Sequence, residues 1–149
     1  MAKREISLRE RALAMLARRE HTRAEMMRKL SPHCEFPEQI EQLLDALAAR
    51  GWLSETRFAE SRANTLGRKF GSRKIEYDLR TRGVSDEIVE QAVERALVQE
   101  LENCRAAWER KFGVLPQDAA ERGRQMRFLA GRGFSAEAVR QVLKTGDLD

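Results

Sequence analysis

The feature that most constrains this chain is an internal repeat. The segment Leu79 to Val93 reads LRTRGVSDEIVEQAV, and fifty residues later Leu129 to Leu143 reads LAGRGFSAEAVRQVL. Seven of the fifteen positions are identical: Leu79/Leu129, Arg82/Arg132, Gly83/Gly133, Ser85/Ser135, Glu87/Glu137, Val89/Val139 and Gln91/Gln141. Forty-nine residues upstream lies a degenerate third copy, in which Leu30, Glu38, Ile40 and Gln42 match Leu79, Glu87, Val89 and Gln91 without a gap. A fixed period of this size means that one supersecondary unit recurs. Such arrays present extended surfaces to partners, so a single catalytic pocket is not the first thing to seek.

The units are helical. The 149 residues include only nine glycines and three prolines, and no run of strand-forming residues stands out. Each unit reads as three helices with their own start and stop signals. Ser7 with Glu10, Thr22 with Glu25, and Asp118 with Glu121 have capping-box spacing. Ser54, Ser85 and Ser135 are further N-caps, and Gly51, Gly83 and Gly133 are stops. Apolar stripes follow: Leu8, Ala12, Met15 and Leu16; Met26, Met27 and Leu30; Ile40, Leu43, Leu44 and Leu47; Phe58, Ala59, Ala63, Leu66 and Phe70; Ile75 and Leu79; Ile88, Val89, Ala92, Val93 and Ala96; Leu97, Leu101, Cys104, Trp108 and Phe112; Met126, Leu129 and Ala130; Val139, Val142 and Leu143. Trp52 and Leu53 are expected to clasp the core behind Gly51. The expected architecture is all-α, an elongated array of three tandem three-helix, helix-turn-helix-like repeats at residues 1–53, 54–97 and 98–149, with about nine helices.

Several function classes drop out. His21, His33, Cys34 and Cys104 lack zinc-site spacing, no phosphate loop follows a strand, and no nucleophile is paired with a base. We therefore expect no enzyme, no cofactor and no metal. No apolar stretch reaches membrane-spanning length, and two cysteines behind a start without a secretion signal suggest reduced thiols in the cytoplasm.

Charge follows the period of the fold. Net charge is +4, from 28 basic and 24 acidic residues, and 22 of the bases are Arg. Residues 1–29 carry +5, residues 30–56 carry −4, residues 57–82 carry +5, residues 83–104 carry −5 and residues 105–149 carry +3. The first two helices of the first two units are basic and the third is acidic. The densest basic segment holds Arg57, Arg62, Arg68, Lys69, Arg73, Lys74, Arg80 and Arg82, several of them crowded about a break at Gly71-Ser72. A helix start flanked by Arg and Lys, with few counter-charges in its own segment, suits an anion or an acidic protein surface. Trp52, Trp108, Phe58 and Phe70 fall in core register, which leaves little exposed aromatic surface for stacking on bases.

The order of these signals resembles a known family. A short basic opening leads to ALAMLARREHTRAEMMRKL at Ala12 to Leu30, then to Gly51-Trp52-Leu53, Arg57-Phe58-Ala59-Glu60, a basic run, Gly71, and Ile75 through Leu79 to Gly83. Taken together, and extending from Leu8 to Leu143, this is similar to the RecX family, bacterial regulators of the RecA recombinase. One departure is the short run Arg68-Lys69-Phe70-Gly71, where many members carry a longer, glycine-containing stretch. The resemblance implies an all-helical array of three-helix repeats that binds RecA, especially RecA assembled on single-stranded DNA; we expect the chain to act as a monomer. The resemblance also implies inhibition of strand exchange, ATP hydrolysis and coprotease activity, with DNA met through the filament. Two other readings remain open from the residues: a stand-alone DNA-binding protein using a helix-turn-helix-like corner, and a scaffold without nucleic acid. Against the first, the third helices are acidic and phosphates repel them.

Overall fold

A computed structural model describes residues 5–144, so the first four residues of the first unit and the last five of the third lie outside it. Among the described residues every regular element is a helix. They are α1 (Leu8–Arg18), α2 (Arg23–Leu30), α3 (Pro37–Ala49), α4 (Glu55–Gly67), α5 (Ser72–Thr81), α6 (Asp86–Lys111), α7 (Ala119–Gly131) and α8 (Ala136–Leu143), with a short 3-10 turn at Ser31–His33 after α2. The third helix of the second unit and the first helix of the third are one continuous rod, α6. No glycine or proline lies between Ser85 and Gly113 to stop it.

The caps work as their chemistry requires. Hydroxyls of Ser7, Thr22, Ser54 and Ser135, and the Asp118 carboxylate, accept from the backbone N–H three residues on at 2.8–3.2 Å. Ser85 sits at an N-cap with extended backbone but makes no side-chain cap bond. The start of α5 is capped from outside its own segment. The buried Glu100 carboxylate, on α6, accepts from both the backbone N–H and the hydroxyl of Ser72 at 2.8 Å. Negative charge at a helix start is favourable, which accounts for an acid in the interior.

Three separate cores form, one per unit. The repeated leucines Leu30, Leu79 and Leu129 are all 0% exposed, and Ile40, Val89 and Val139 are buried beside them. Leu79→Ala is expected to destabilise the fold by about 2–4 kcal/mol, through lost burial plus the cavity left behind. An unmoved denaturant midpoint would contradict that assignment. Cys104 lies in the third core, where burial pushes its thiol up to about 12. It is an inert apolar side chain there.

The expected stripes need four corrections. Trp52 is 42% exposed, because the turn after Gly51 sends Leu53 inward instead, and Arg9 and Arg50 lie over the indole. Leu97 is exposed together with Val98, at the point where α6 turns one face to the second core and another to the third. On α7, Met126 and Ala130 face outward, while Gln125 and Phe128 face inward with Leu129. Gln125 is held there by polar contacts: its side chain accepts from the Trp108 indole N–H at 2.8 Å and donates to the Val114 carbonyl at 3.1 Å. Exposed aromatic surface also exceeds expectation, since Tyr77 and Phe36 project outward with Trp52.

Candidate interaction surface

The second and third units meet through backbone at the Gly71 break. Gly71 N–H donates to the Arg132 carbonyl at 2.9 Å, and Arg73 N–H donates to the Gly133 carbonyl at 3.1 Å. A β-carbon on Gly71 would lie 2.5 Å from the Gly133 carbonyl oxygen and 2.5 Å from the Phe134 α-carbon. One on Gly133, whose φ is +91°, would lie 2.8 Å from the Lys74 backbone nitrogen. The glycines are therefore what lets the α4–α5 turn and the α7–α8 turn touch.

This contact brings cations of two units together. The Lys74 ammonium and the Arg132 guanidinium both lie over the Phe70 ring, 5.1 and 5.3 Å from its centre. Arg132 and Lys111 both lie over Phe128, at 5.0 and 5.5 Å. Phe128 in turn packs edge-on against Phe112. The result is an alternating ladder, Lys74–Phe70–Arg132–Phe128–Lys111. The Arg110 guanidinium donates to the Arg68 carbonyl, and Lys69 shares a shallow pocket with Arg110, Lys111, Phe128 and Arg132. Arg68, Lys69, Arg73, Lys74, Arg110, Lys111 and Arg132 have no carboxylate partner among the described residues. Aromatic faces hold some of these cations in place without neutralising them.

The other four bases singled out in the sequence are engaged elsewhere. Arg57 donates to Glu20 at 2.9 Å and to the Gly51 carbonyl. Arg80 pairs with Glu76 and Asp86. Arg62 grips Asp78 with two N–H groups, at 2.8 and 2.9 Å, and Arg82 adds a third bond to Asp78 at 3.0 Å. Arg62 holds the Asp78 carboxyl below its ordinary range against the opposing effect of burial, and Arg82 adds to this. Counter-charges are thus more plentiful than the local segment suggested, because Glu20 and Asp86 lie outside residues 57–82. Arg62, Arg80 and Arg82 do not join the Gly71 corner; Arg110, Lys111 and Arg132 do, and folding alone reveals them.

The first and second units meet through charge. Glu25, expected to close a capping box with Thr22, instead accepts from Arg19 at 3.0 Å and lies 3.5 Å from Arg82. It is buried, and its Oε1 accepts no hydrogen bond. His21 is also buried and lowered from its ordinary value by burial, despite a bond to the Arg19 carbonyl at 2.9 Å. Its other ring nitrogen faces Lys29 at 3.4 Å, so the neutral ring is structural. Among the described residues no three His, Cys, Asp or Glu side chains converge as metal ligands would. None of the helices described is long and apolar enough to cross a membrane.

The chain is similar to known proteins over most of its length. Family models described as the second and third three-helix domains of RecX match residues 54–93 and 98–143. The regulatory protein RecX of Chromobacterium violaceum is 45% identical over 140 residues, covering 94% of this chain and 91% of its own. That of Leptothrix cholodnii is 46% identical over 143 residues, covering 96% and 91%. A crystal structure of RecX from Lactobacillus salivarius superposes with a TM-score of 0.77 at 19% identity, covering 95% of this chain and 96% of its own.

Proposed function

The chain belongs to the RecX family of regulatory proteins, and from that premise we propose that it binds the RecA filament on single-stranded DNA and restrains its activity. The observation that carries this reading is family membership over nearly the whole array, whose partner is the one implied by the sequence resemblance. The fold supplies a physical route. An elongated chain of helical units can lie along a repeating assembly and touch more than one subunit, and binding to one state of that assembly shifts its population by mass action. No catalytic step is required, and the role is one of regulating recombination and DNA repair in the cytoplasm.

In this proposal the docking surface is the Gly71 corner. Arg68, Lys69, Arg73 and Lys74 carry it from the second unit, and Arg110, Lys111 and Arg132 from the third. Lys74, Lys111 and Arg132, held over aromatic rings, and Arg110, held on the Arg68 carbonyl, can meet an acidic protein groove or the bound strand with little further ordering. Arg57, Arg62, Arg80 and Arg82 contribute through the positions they hold.

Co-sedimentation separates this reading from stand-alone DNA binding. The protein should pellet with RecA–single-strand filaments at concentrations where neither free strand nor duplex captures it. Equal capture by naked DNA would favour the helix-turn-helix alternative. That alternative would have to use a third helix such as α3, which carries three acidic residues and no base.

A further inference from the structure

A second cationic feature lies at the junction of the first and second units and shares no residue with the Gly71 corner. It is a cleft of about 340 Å³ lined by Arg19 and Glu20 from the α1–α2 link, by Phe58, Ser61, Arg62 and Thr65 from α4, and by Arg82 from the end of α5. Three guanidiniums thus face one carboxylate. That carboxylate, Glu20, is already bound to Arg57.

The arginines are held by carboxylates outside the lining of the cleft. Asp78 accepts from Nε and Nη2 of Arg62 and from Nε of Arg82, and Glu25 accepts from Nη1 of Arg19. Neither Asp78 nor Glu25 lines this cleft; both line a separate one that shares only Arg82 with it and also holds Ala24, Arg28 and Tyr77. The carboxylates therefore fix the guanidinium planes, and the cleft's own lining holds three guanidiniums and one carboxylate. Arg62 Nη1, Arg19 Nη2 and Arg82 Nη2 donate no hydrogen bond among the described residues. The Ser61 hydroxyl makes none either, while that of Thr65 donates to the Ser61 carbonyl. Free guanidinium N–H groups beside a hydroxyl are the donor set that phosphate oxygens accept from.

The geometry points to this cleft as a binding site for a phosphate oxyanion, which, by touching Arg19 of the first unit and Arg62 and Arg82 of the second, clamps the two units at one angle. The site goes beyond the filament-binding reading and is testable without RecA. The phosphate could belong to a small free compound or to a nucleic acid strand. Two probes distinguish them: inorganic pyrophosphate, followed by thermal melting, and a labelled oligothymidylate, followed by fluorescence anisotropy.

Pyrophosphate should raise the melting midpoint of the full chain above that seen in sodium chloride of equal ionic strength. Thr65→Glu places a carboxylate in the cleft from an exposed helical position and leaves every arginine and its anchor in place. It should abolish the shift, whereas Thr65→Gln should retain it. Ser61→Glu, also at an exposed position, repeats the test if Thr65→Glu folds poorly. If Thr65→Glu also lowers oligothymidylate affinity by about tenfold, the ligand is a strand backbone; if only the pyrophosphate response changes, it is a small phosphate compound. A midpoint shift that survives both glutamate variants, or that Arg68→Glu removes instead, would overturn the assignment.

Discussion

Arg68→Glu combined with Arg73→Glu is expected to weaken binding to the RecA–single-strand filament by at least about tenfold while leaving the melting midpoint unchanged. Both side chains are exposed at the α4–α5 break and have no carboxylate partner among the described residues. Reversal therefore removes attraction and adds repulsion without breaking an internal pair. The binding that remains should depend less on salt, because fewer counter-ions are displaced. The corresponding change at Arg62 would be a poor test. It would leave Asp78 without its bidentate partner and so confuse docking with folding. A double variant that melts normally and binds as well as the parent would remove the Gly71 corner from the account.

Gly71→Ala should have the largest effect on the scaffold. Its new methyl group would meet the Gly133 carbonyl and the Phe134 α-carbon, both backbone atoms that cannot swing aside. We expect a loss of about 2–4 kcal/mol, from overpacking and from parting the two turns. Filament binding should fall with it, because Lys74 and Arg132 would no longer share the Phe70 ring. Gly131→Ala is the matched control, since a β-carbon there meets nothing within 4 Å. Equal stability of the two alanine variants would contradict the proposed close approach.

Much of the scaffold was legible in the sequence because its signals are local. The repeated Leu79 and Leu129 mark core positions, Ser and Asp caps mark helix starts, and Gly51, Gly83 and Gly133 adopt the positive φ that helix stops need. The misread residues sit where local rules give two equal answers. Behind Gly51 either Trp52 or Leu53 could fold inward, and the apolar surface of α6 changes sides near Leu97. On α7 the inward Gln125 depends on Trp108 and Val114, both in earlier segments.

The candidate surface was half legible for the same reason. The density of base around Gly71 is a local property, so Arg68, Lys69, Arg73 and Lys74 stand out. That Arg110, Lys111 and Arg132 join them depends on the contact between two turns in different units. Charge sums over segments also hide the pairs Arg57–Glu20 and Arg82–Glu25, which cross from one unit to the next.

The most direct measurement is the rate of ATP hydrolysis by RecA on single-stranded DNA, with RecA from the same source, as this protein is titrated in. A protein that lies along the filament and biases its state should slow hydrolysis, and strand exchange with it, at well under one molecule per RecA subunit. Unchanged hydrolysis and strand exchange at excess protein would contradict the account.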